Sequence, residues 1–478
     1  MRRRTKIVAT LGPATDKPQT LLKMIDAGLD VARLNFSHGD ADDHRGRAKA
    51  LREAARKSGR EVGLMGDLQG PKIRVRRFRD RSVELKDGDS FFLDSALGLE
   101  DGTIDGVGVA LDTLHKDVVA GDVLLLNDGM ITLEVENVDG TRIHTLVVNG
   151  GILSDHKGIN KKGGGLSAPA LTNVDRENII LAVELEVDFL AVSFVRTADD
   201  VHEARRLFEA AGGKGLVVAK IERVEAVEDI DSIVDAADII MVARGDLGVE
   251  MGYAQLTGIQ KRLIRRTRKR SKVVITATQM MESMIQNPIP TRAEVSDVSN
   301  AVMDGTDAVM LSGETAVGKY PVKAIRAMSE VCEGAEQFPL PEGLTRHRIG
   351  DYFKKVDEAI AMAVMYTANH LAVRAIIALT ESGSTALWMS RIRSDIPIYA
   401  FTPHIATSRR VTMYRGVDSV FFEITHKDSR SLYQDVFGAL LANEIVDAGD
   451  LVIFTQGDLD GVSGSTNAMK IIEVTAES

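Results

Sequence analysis

Short apolar runs and amphipathic stretches alternate along the chain. Eight runs, at residues 5–10, 31–35, 62–66, 188–193, 216–220, 239–243, 273–277 and 307–311, are nearly continuous in apolar residues. That is the pattern of strands covered on both faces, as in a parallel sheet wrapped by helices. A stretch with helical spacing follows each run, the third only after a long interruption. Eight strand–helix units predict an α/β protein with a closed (β/α)8 barrel, formed by residues 1–70 and 169–338.

The interruption, residues 71–168, reads as short strands, and Asp-Gly or Asn-Gly pairs recur at 87–88, 128–129, 139–140 and 149–150. Such pairs signal hairpin turns. The stretch is expected to form an inserted small β-barrel domain. It leaves the barrel at the rim where barrel enzymes carry their chemistry, so it is placed to act as a lid, with Gly163 to Gly165 at the return hinge. Two prolines and polar residues mark a linker over 338–351. Residues 352–478 then read as a smaller α/β domain with strands near 374–380, 397–401, 417–422 and 450–455 and an edge strand at 468–475.

Composition narrows the function. Fifty-nine Lys and Arg against 69 Asp and Glu leave a net charge of −10 over 478 residues, a poor general binder of nucleic acid or anionic membrane. The single cysteine, Cys332, excludes internal disulfides and four-cysteine zinc sites and suits a reducing compartment. The basic N-terminal segment has an apolar run that stops at Pro13, too short for a secretory signal. No apolar run reaches the ~18 residues of a membrane span. A cytoplasmic location is expected.

Chemistry in a barrel of this kind sits at the C-terminal strand ends, and polar residues collect there. Strand two is followed by Arg33, Asn35, Ser37 and His38, and strand three ends at Asp67. Strand four brings Ser193 and Arg196, strand five Lys220 and Glu222, strand six Arg244 and Asp246, strand seven Thr278, and strand eight Ser312 and Glu314. Residues two apart on a strand share a face, so Lys220 and Glu222 are expected to point together, as are Arg244 and Asp246. Two carboxylates, Glu222 and Asp246, suit Mg²⁺ completed by substrate oxygens and water. Arg33 and Lys220 suit a phosphoryl group. Backbone N–H groups around Ala243, Arg244, Gly245 and Asp246 suit a carboxylate, because Gly245 allows close approach. Together these point to phosphoryl transfer with a small phosphorylated acid.

Other features carry less. Gly313 to Tyr320 nearly spells a Walker-A loop but lacks the Ser or Thr that would hold Mg²⁺. Residues 261–272 hold eight basic residues in twelve and read as the wet face of a helix with Leu263, Ile264 and Thr267 turned inward. The histidines have no zinc-site spacing. Thr380, Glu381, Ser382, Gly383, Ser384 and Thr385 follow a strand and open a helix. That arrangement suits either a helix cap, with Ser384 as the capping residue, or a phosphate site.

The ordered segments TKIVATLGPAT, RLNFSHGD, GDLQGPKIR, NDGMI, KGIN, LAVSFVR, KIER, MVARGDLGVE, ITATQMMESM, PTRAEVSDVSNAVMDGTDAVMLSGETAVGKYP and ALTESGSTAL resemble the pyruvate kinase family over essentially the whole chain. The resemblance implies transfer of the phosphoryl group of phosphoenolpyruvate to ADP, giving pyruvate and ATP, with Mg²⁺ (or Mn²⁺) at Glu222 and Asp246. It implies that Lys220 stabilises the phosphoryl in flight and the enolate. Arg33 would contact the phosphoryl group, Thr278 would lie near the protonated face of the enolate, and Ser193 and Arg74 would line the substrate site. Asn35, His38 and Lys157 would face the nucleotide. Family members that need a monovalent cation hold it at positions matching Asn35, Ser37, Asp67 and the Leu68 carbonyl. Here Lys72 stands where they carry a glutamate, so its ammonium is expected to replace K⁺. The resemblance also implies a homotetramer, and a phosphorylated effector at Thr380, Ser382, Gly383, Ser384 and Thr385, with a sugar monophosphate or AMP the expected class. Gly464 to Asn467 would border that loop.

Overall fold

The computed structural model describes residues 2–338, 353, 355–423, 429–457, 464 and 466–475. Most of the expected linker, from 339 onward, lies outside the described residues.

Eight parallel strands close into a barrel: β1 (Lys6–Thr10), β2 (Val31–Asn35), β3 (Gly63–Asp67), β4 (Phe189–Val192), β5 (Leu216–Ile221), β6 (Ile239–Ala243), β7 (Val273–Ala277) and β8 (Ala308–Leu311). Pairing of Lys6 with Ala308 joins β1 to β8 and removes both sheet edges. The apolar side chains divide by the two-residue period of a strand. Ile7, Leu34, Leu64, Leu190, Ile240 and Val274 face the surrounding helices. Val8, Val31, Met65, Phe189, Met241 and Ile275 fill the barrel.

The insertion is β-rich. One sheet has six strands and a second has two, around an apolar core of its own that includes Phe91, Leu124, Leu133 and Leu153. The turns at Asp128-Gly129 and Asp139-Gly140 close hairpins, between Val123–Leu126 and Ile131–Asp139 and between the latter and Arg142–Asn149. Those at 87–88 and 149–150 do not. There the chain turns from one sheet into the other, and strand Gly151–Ser154 pairs with Ser82–Leu85 instead. A turn sequence sets the local bend, whereas the partner strand is chosen by which apolar face needs cover.

The C-terminal domain carries strands Ala375–Leu379, Ile398–Thr402, Val417–Phe421 and Leu451–Gly457 in one parallel arrangement. Thr466–Glu473 is antiparallel at its edge. This domain seats on the N-terminal end of the barrel. The apolar side chains inside the barrel run without a break into those of the domain, from Phe189 and Met65 to Val411, Met413 and Tyr414. Arg391 of the domain reaches under the barrel to Asp307, at 2.7 and 2.9 Å, with both side chains almost fully buried. The opposite barrel rim is left free for chemistry.

Candidate active site

At that free rim the side chains of β2 to β5 form one connected charge network. Arg33 donates from Nε to Asp67 Oδ2 at 2.6 Å and from Nη1 to Thr10 Oγ1 at 2.9 Å. Lys220 Nζ lies 3.3 Å from Asp67 Oδ1, 3.0 Å from Glu222 Oε1 and 2.6 Å from Ser193 Oγ. Ser193 in turn donates to the Leu68 carbonyl at 2.7 Å. Arg33, Asp67, Ser193, Lys220 and Glu222 are all buried, so a lost partner here would leave an uncompensated charge.

Burial alone would push Asp67 up, but Arg33 and Lys220 outweigh it and hold the carboxyl below its usual range. Burial would strip Lys220 of its proton, yet Asp67 and Glu222 keep it above the ordinary lysine value and therefore cationic. Glu222 goes the other way. Burial pushes its carboxyl up, Lys220 pulls it back, and the nearby charge of Asp246 pushes it up again. Two carboxylates converging under like-charge repulsion are a cation-seeking arrangement.

The next wall is the helix Arg244–Met251, which starts directly after β6. The i, i+2 expectation for Arg244 and Asp246 fails here, because the strand stops at Ala243 and helical geometry takes over. Arg244 turns away from the pocket to Asp297 Oδ1 at 2.7 Å and to the Thr278 carbonyl at 2.8 Å. Asp246 faces the lid, where Lys72 Nζ lies 3.4 Å from Oδ1. Gly245 donates its N–H to Thr278 Oγ1 at 2.8 Å, and Thr278 donates onward to the Ala277 carbonyl at 2.7 Å. Thr278 and Gln279 both hold left-handed backbone, with φ of 69° and 53°, a conformation that costs non-glycine residues energy. Arg244 holds it in place through the loop carbonyls. The sequence reading missed Asp297, although it lies within the PTRAEVSDVSN motif.

The remaining candidates sit on the rim and the lid. Asn35 Oδ1 accepts the Ser37 N–H at 3.1 Å, and the Asn35 carbonyl accepts the N–H of His38, an exposed residue. Lys157 lies in the lid, its carbonyl accepting the Val75 N–H at 2.9 Å. Arg74 donates to the His156 carbonyl at 2.8 Å within the lid neck. Besides Asp246, Lys72 pairs with Asp128 at 3.7 Å. Its ammonium thus lies toward the Asp246 wall, while Asp67 is taken up by Arg33 and Lys220 and the Leu68 carbonyl by Ser193.

Gly163, Gly164 and Gly165 all have positive φ, and this return segment is tied to the barrel by a carboxylate cluster. Gly165 donates its N–H to Glu225 Oε1 at 2.6 Å, Gly163 donates to the Glu250 carbonyl at 3.0 Å, and Arg223 donates to the Leu166 carbonyl at 3.0 Å. Asn160 lies 3.4 Å from Glu250 Oε1 and Arg223 Nε 3.3 Å from the same oxygen. Burial pushes the Glu250 carboxyl up to about 7, even against Arg223.

In the C-terminal domain the cap of helix Ser384–Ser390 is Gly383, with φ +84°, and not Ser384. Thr380 Oγ1 accepts the Gly383 N–H at 2.9 Å, the Ser382 carbonyl accepts from Arg410 at 3.4 Å, and Thr385 Oγ1 meets Thr466 Oγ1 at 2.6 Å. Ser465 lies outside the described residues.

The family model described as pyruvate kinase, barrel domain, matches residues 2–325, and that described as pyruvate kinase, alpha/beta domain, matches 358–472. The chain is 53% identical to a protein named pyruvate kinase II from Salmonella typhimurium and 52% identical to a pyruvate kinase from Buchnera aphidicola subsp. Baizongia pistaciae, each match covering 99% of both chains. It is 43% identical to the pyruvate kinase of Geobacillus stearothermophilus, over 98% of this chain and 80% of that one.

Proposed function

The chain belongs to the pyruvate kinase family, phosphotransferases of glycolysis that use a divalent cation, usually Mg²⁺, and on that premise we propose how its own residues divide the work. The observation that carries the reading is the buried Arg33–Asp67–Lys220–Glu222 network at the C-terminal rim. Lys220, kept cationic by two carboxylates, presents fixed positive charge to a phosphoryl group leaving phosphoenolpyruvate and then to the enolate oxygen. Arg33, braced by Asp67 and Thr10, fixes the phosphoryl orientation. The N–H groups at the start of helix Arg244–Met251, of which that of Gly245 is shared with Thr278 Oγ1, receive the substrate carboxylate.

Glu222 and Asp246 fit a divalent cation, because they converge and the repulsion between them already disfavours two charges. Two protein carboxylates are what Mg²⁺ commonly takes. When bound, the ion supplies charge neutralisation to the transferring oxygens. Thr278 already donates to Ala277 and accepts from Gly245. Its remaining lone pair suits it to hold a water that delivers the enolate proton, with Thr278 positioning rather than giving it.

Lys72 supports a second part of the reading. Its ammonium, between Asp246 and Asp128, adds fixed positive charge to the same rim from the Asp246 side, and we read the enzyme as needing no K⁺. Asn35, His38 and Lys157 face ADP, with Arg74 closing in as the lid swings. A phosphorylated effector, a sugar monophosphate or AMP, binds Thr380 to Thr385. The active form is a homotetramer, working in the cytoplasm. Among the described residues no helix is long and apolar enough to cross a membrane.

The test is pyruvate formation from phosphoenolpyruvate and ADP, in sodium-free buffers with and without K⁺. We expect turnover that requires Mg²⁺ and changes less than tenfold on adding K⁺. Activation beyond tenfold would remove Lys72 as the surrogate. No turnover in either buffer, even with sugar phosphates and AMP added, would remove the catalytic reading of the network.

A further inference from the structure

A second concentration of charge lies at the opposite end of the barrel, where the C-terminal domain is seated. A cleft of about 460 Å³ opens there between the two, lined by Arg4, Glu336, Phe338, Asn369, Arg393 and Arg415 among others. Arg268, 7% exposed, lies just behind it. A Cβ placed on Gly305 would fall 2.3 Å from Arg268 Nη1 and 2.5 Å from Arg393 Nη2, so two guanidinium groups converge on one point of the backbone.

The acids nearby are already committed. Asp307 is held by both Nη atoms of Arg391. Glu336 accepts from the Thr5 and Arg4 N–H groups, from Thr5 Oγ1 and from Arg415. Asp395 pairs with Arg4, and Asp304 with Lys261. That leaves cations over. Among the described residues Arg393 Nε and Nη2 are buried with no hydrogen-bond partner, and Arg415 Nε is in the same state. Burial together with Arg268 and Arg415 pushes Arg393 down to about 8, and burial pushes Arg268 down to about 10. A guanidinium in that position does not give up its proton; it takes up an anion, for which its planar fork is suited.

We propose that this cleft, at Arg268, Arg393 and Arg415, is an anion site that takes a phosphate dianion, free or as a small phosphate monoester. It is separate from the Thr380–Thr385 loop. Arg393 and Arg415 precede strands Ile398–Thr402 and Val417–Phe421, whereas Thr380 follows strand Ala375–Leu379, so the two places lie at opposite ends of the strands of one parallel sheet. Because Arg268 and Gly305 belong to the barrel and Arg393 and Arg415 to the C-terminal domain, an anion here bridges the two and stabilises their seating.

Thermal unfolding of the full chain, without Mg²⁺ and at constant ionic strength, tests this with inorganic phosphate and ribose 5-phosphate as separate probes. The variants are Arg393→Met and, independently, Arg268→Met. We expect saturable stabilisation of the wild type by at least one probe, and at least tenfold weaker binding to each variant by calorimetry. Arg393→Met should also melt higher than the wild type in phosphate-free buffer, since it removes an uncompensated buried charge. Response to inorganic phosphate assigns the cleft to the free ion, and response to the ester alone assigns it to a monoester. Equal stabilisation of wild type and variants, as general salt exclusion or binding elsewhere would give, overturns the site. So does an Arg393→Met that melts lower without phosphate, which would mean the chain already supplies a counter-ion.

Discussion

In the proposed chemistry, Lys220 shows how much rests on single side chains. It is cationic because Asp67 and Glu222 are close, and those carboxylates are tolerable in the interior because Lys220 and Arg33 are there. Lys220→Met keeps the length of the side chain and removes the charge. We expect kcat to fall by about 10³-fold or more, as for loss of a main electrostatic stabiliser. The circular dichroism spectrum should stay intact. A loss of less than tenfold would shift the catalytic charge to Arg33. The residue scale is also where reading from sequence is most uneven. Lys220 and Glu222 could be paired from their spacing because the strand persists to Ile221. Arg244 and Asp246 could not, since the same spacing crosses from strand into helix. Arg268 was assigned to a wet helix face with its basic neighbours, yet it is buried. Helical period identifies a face, but a long cationic side chain at its margin goes wherever the next domain sits.

Among the elements, the return segment of the lid has the sharpest consequence. The glycine triplet supplies the bend, and Glu225 and Glu250 on the barrel side receive it. The folded Glu250 carboxyl titrates near 7 against an ordinary 4.5. The folded protein therefore holds a proton that the unfolded chain has released. Stability from this group is full below about pH 4.5 and is lost as pH rises through about 7, by at most about 3 kcal/mol. Glu250→Gln should flatten the fall in melting temperature between pH 5 and 8; a slope as steep as the wild type's would clear Glu250 of the effect. Element boundaries were legible to within a residue or two for all eight barrel strands, because strands buried on both faces show as unbroken apolar runs. The insertion was legible only in class. Its exposed strands pair by sheet-face demand, which the turns at 87–88 and 149–150 do not encode.

For the molecule as a whole, the Arg391–Asp307 pair joins the catalytic barrel to the C-terminal domain through side chains that are 1% and 2% exposed. Arg391→Met would strand Asp307 in the interior, at a cost of about 3–5 kcal/mol. We expect a lower melting temperature and faster proteolysis between the two domains, with Asp307→Asn in the same chain restoring much of the loss; no recovery in the double variant would mean that Arg391 acts through packing alone. The placement of the insertion also sets a timetable for synthesis. Asp67 and Ser193, hydrogen-bonded across neighbouring strands, are 126 residues apart in the chain. At ribosomal speeds that interval lasts on the order of ten seconds. Through it, the first three strands wait with the outer side of β3 unpaired, as an open sheet edge. The inserted domain has its own apolar core and can fold locally in the meantime. Chaperone demand during translation should therefore centre on the waiting edge rather than on the insertion that delays it.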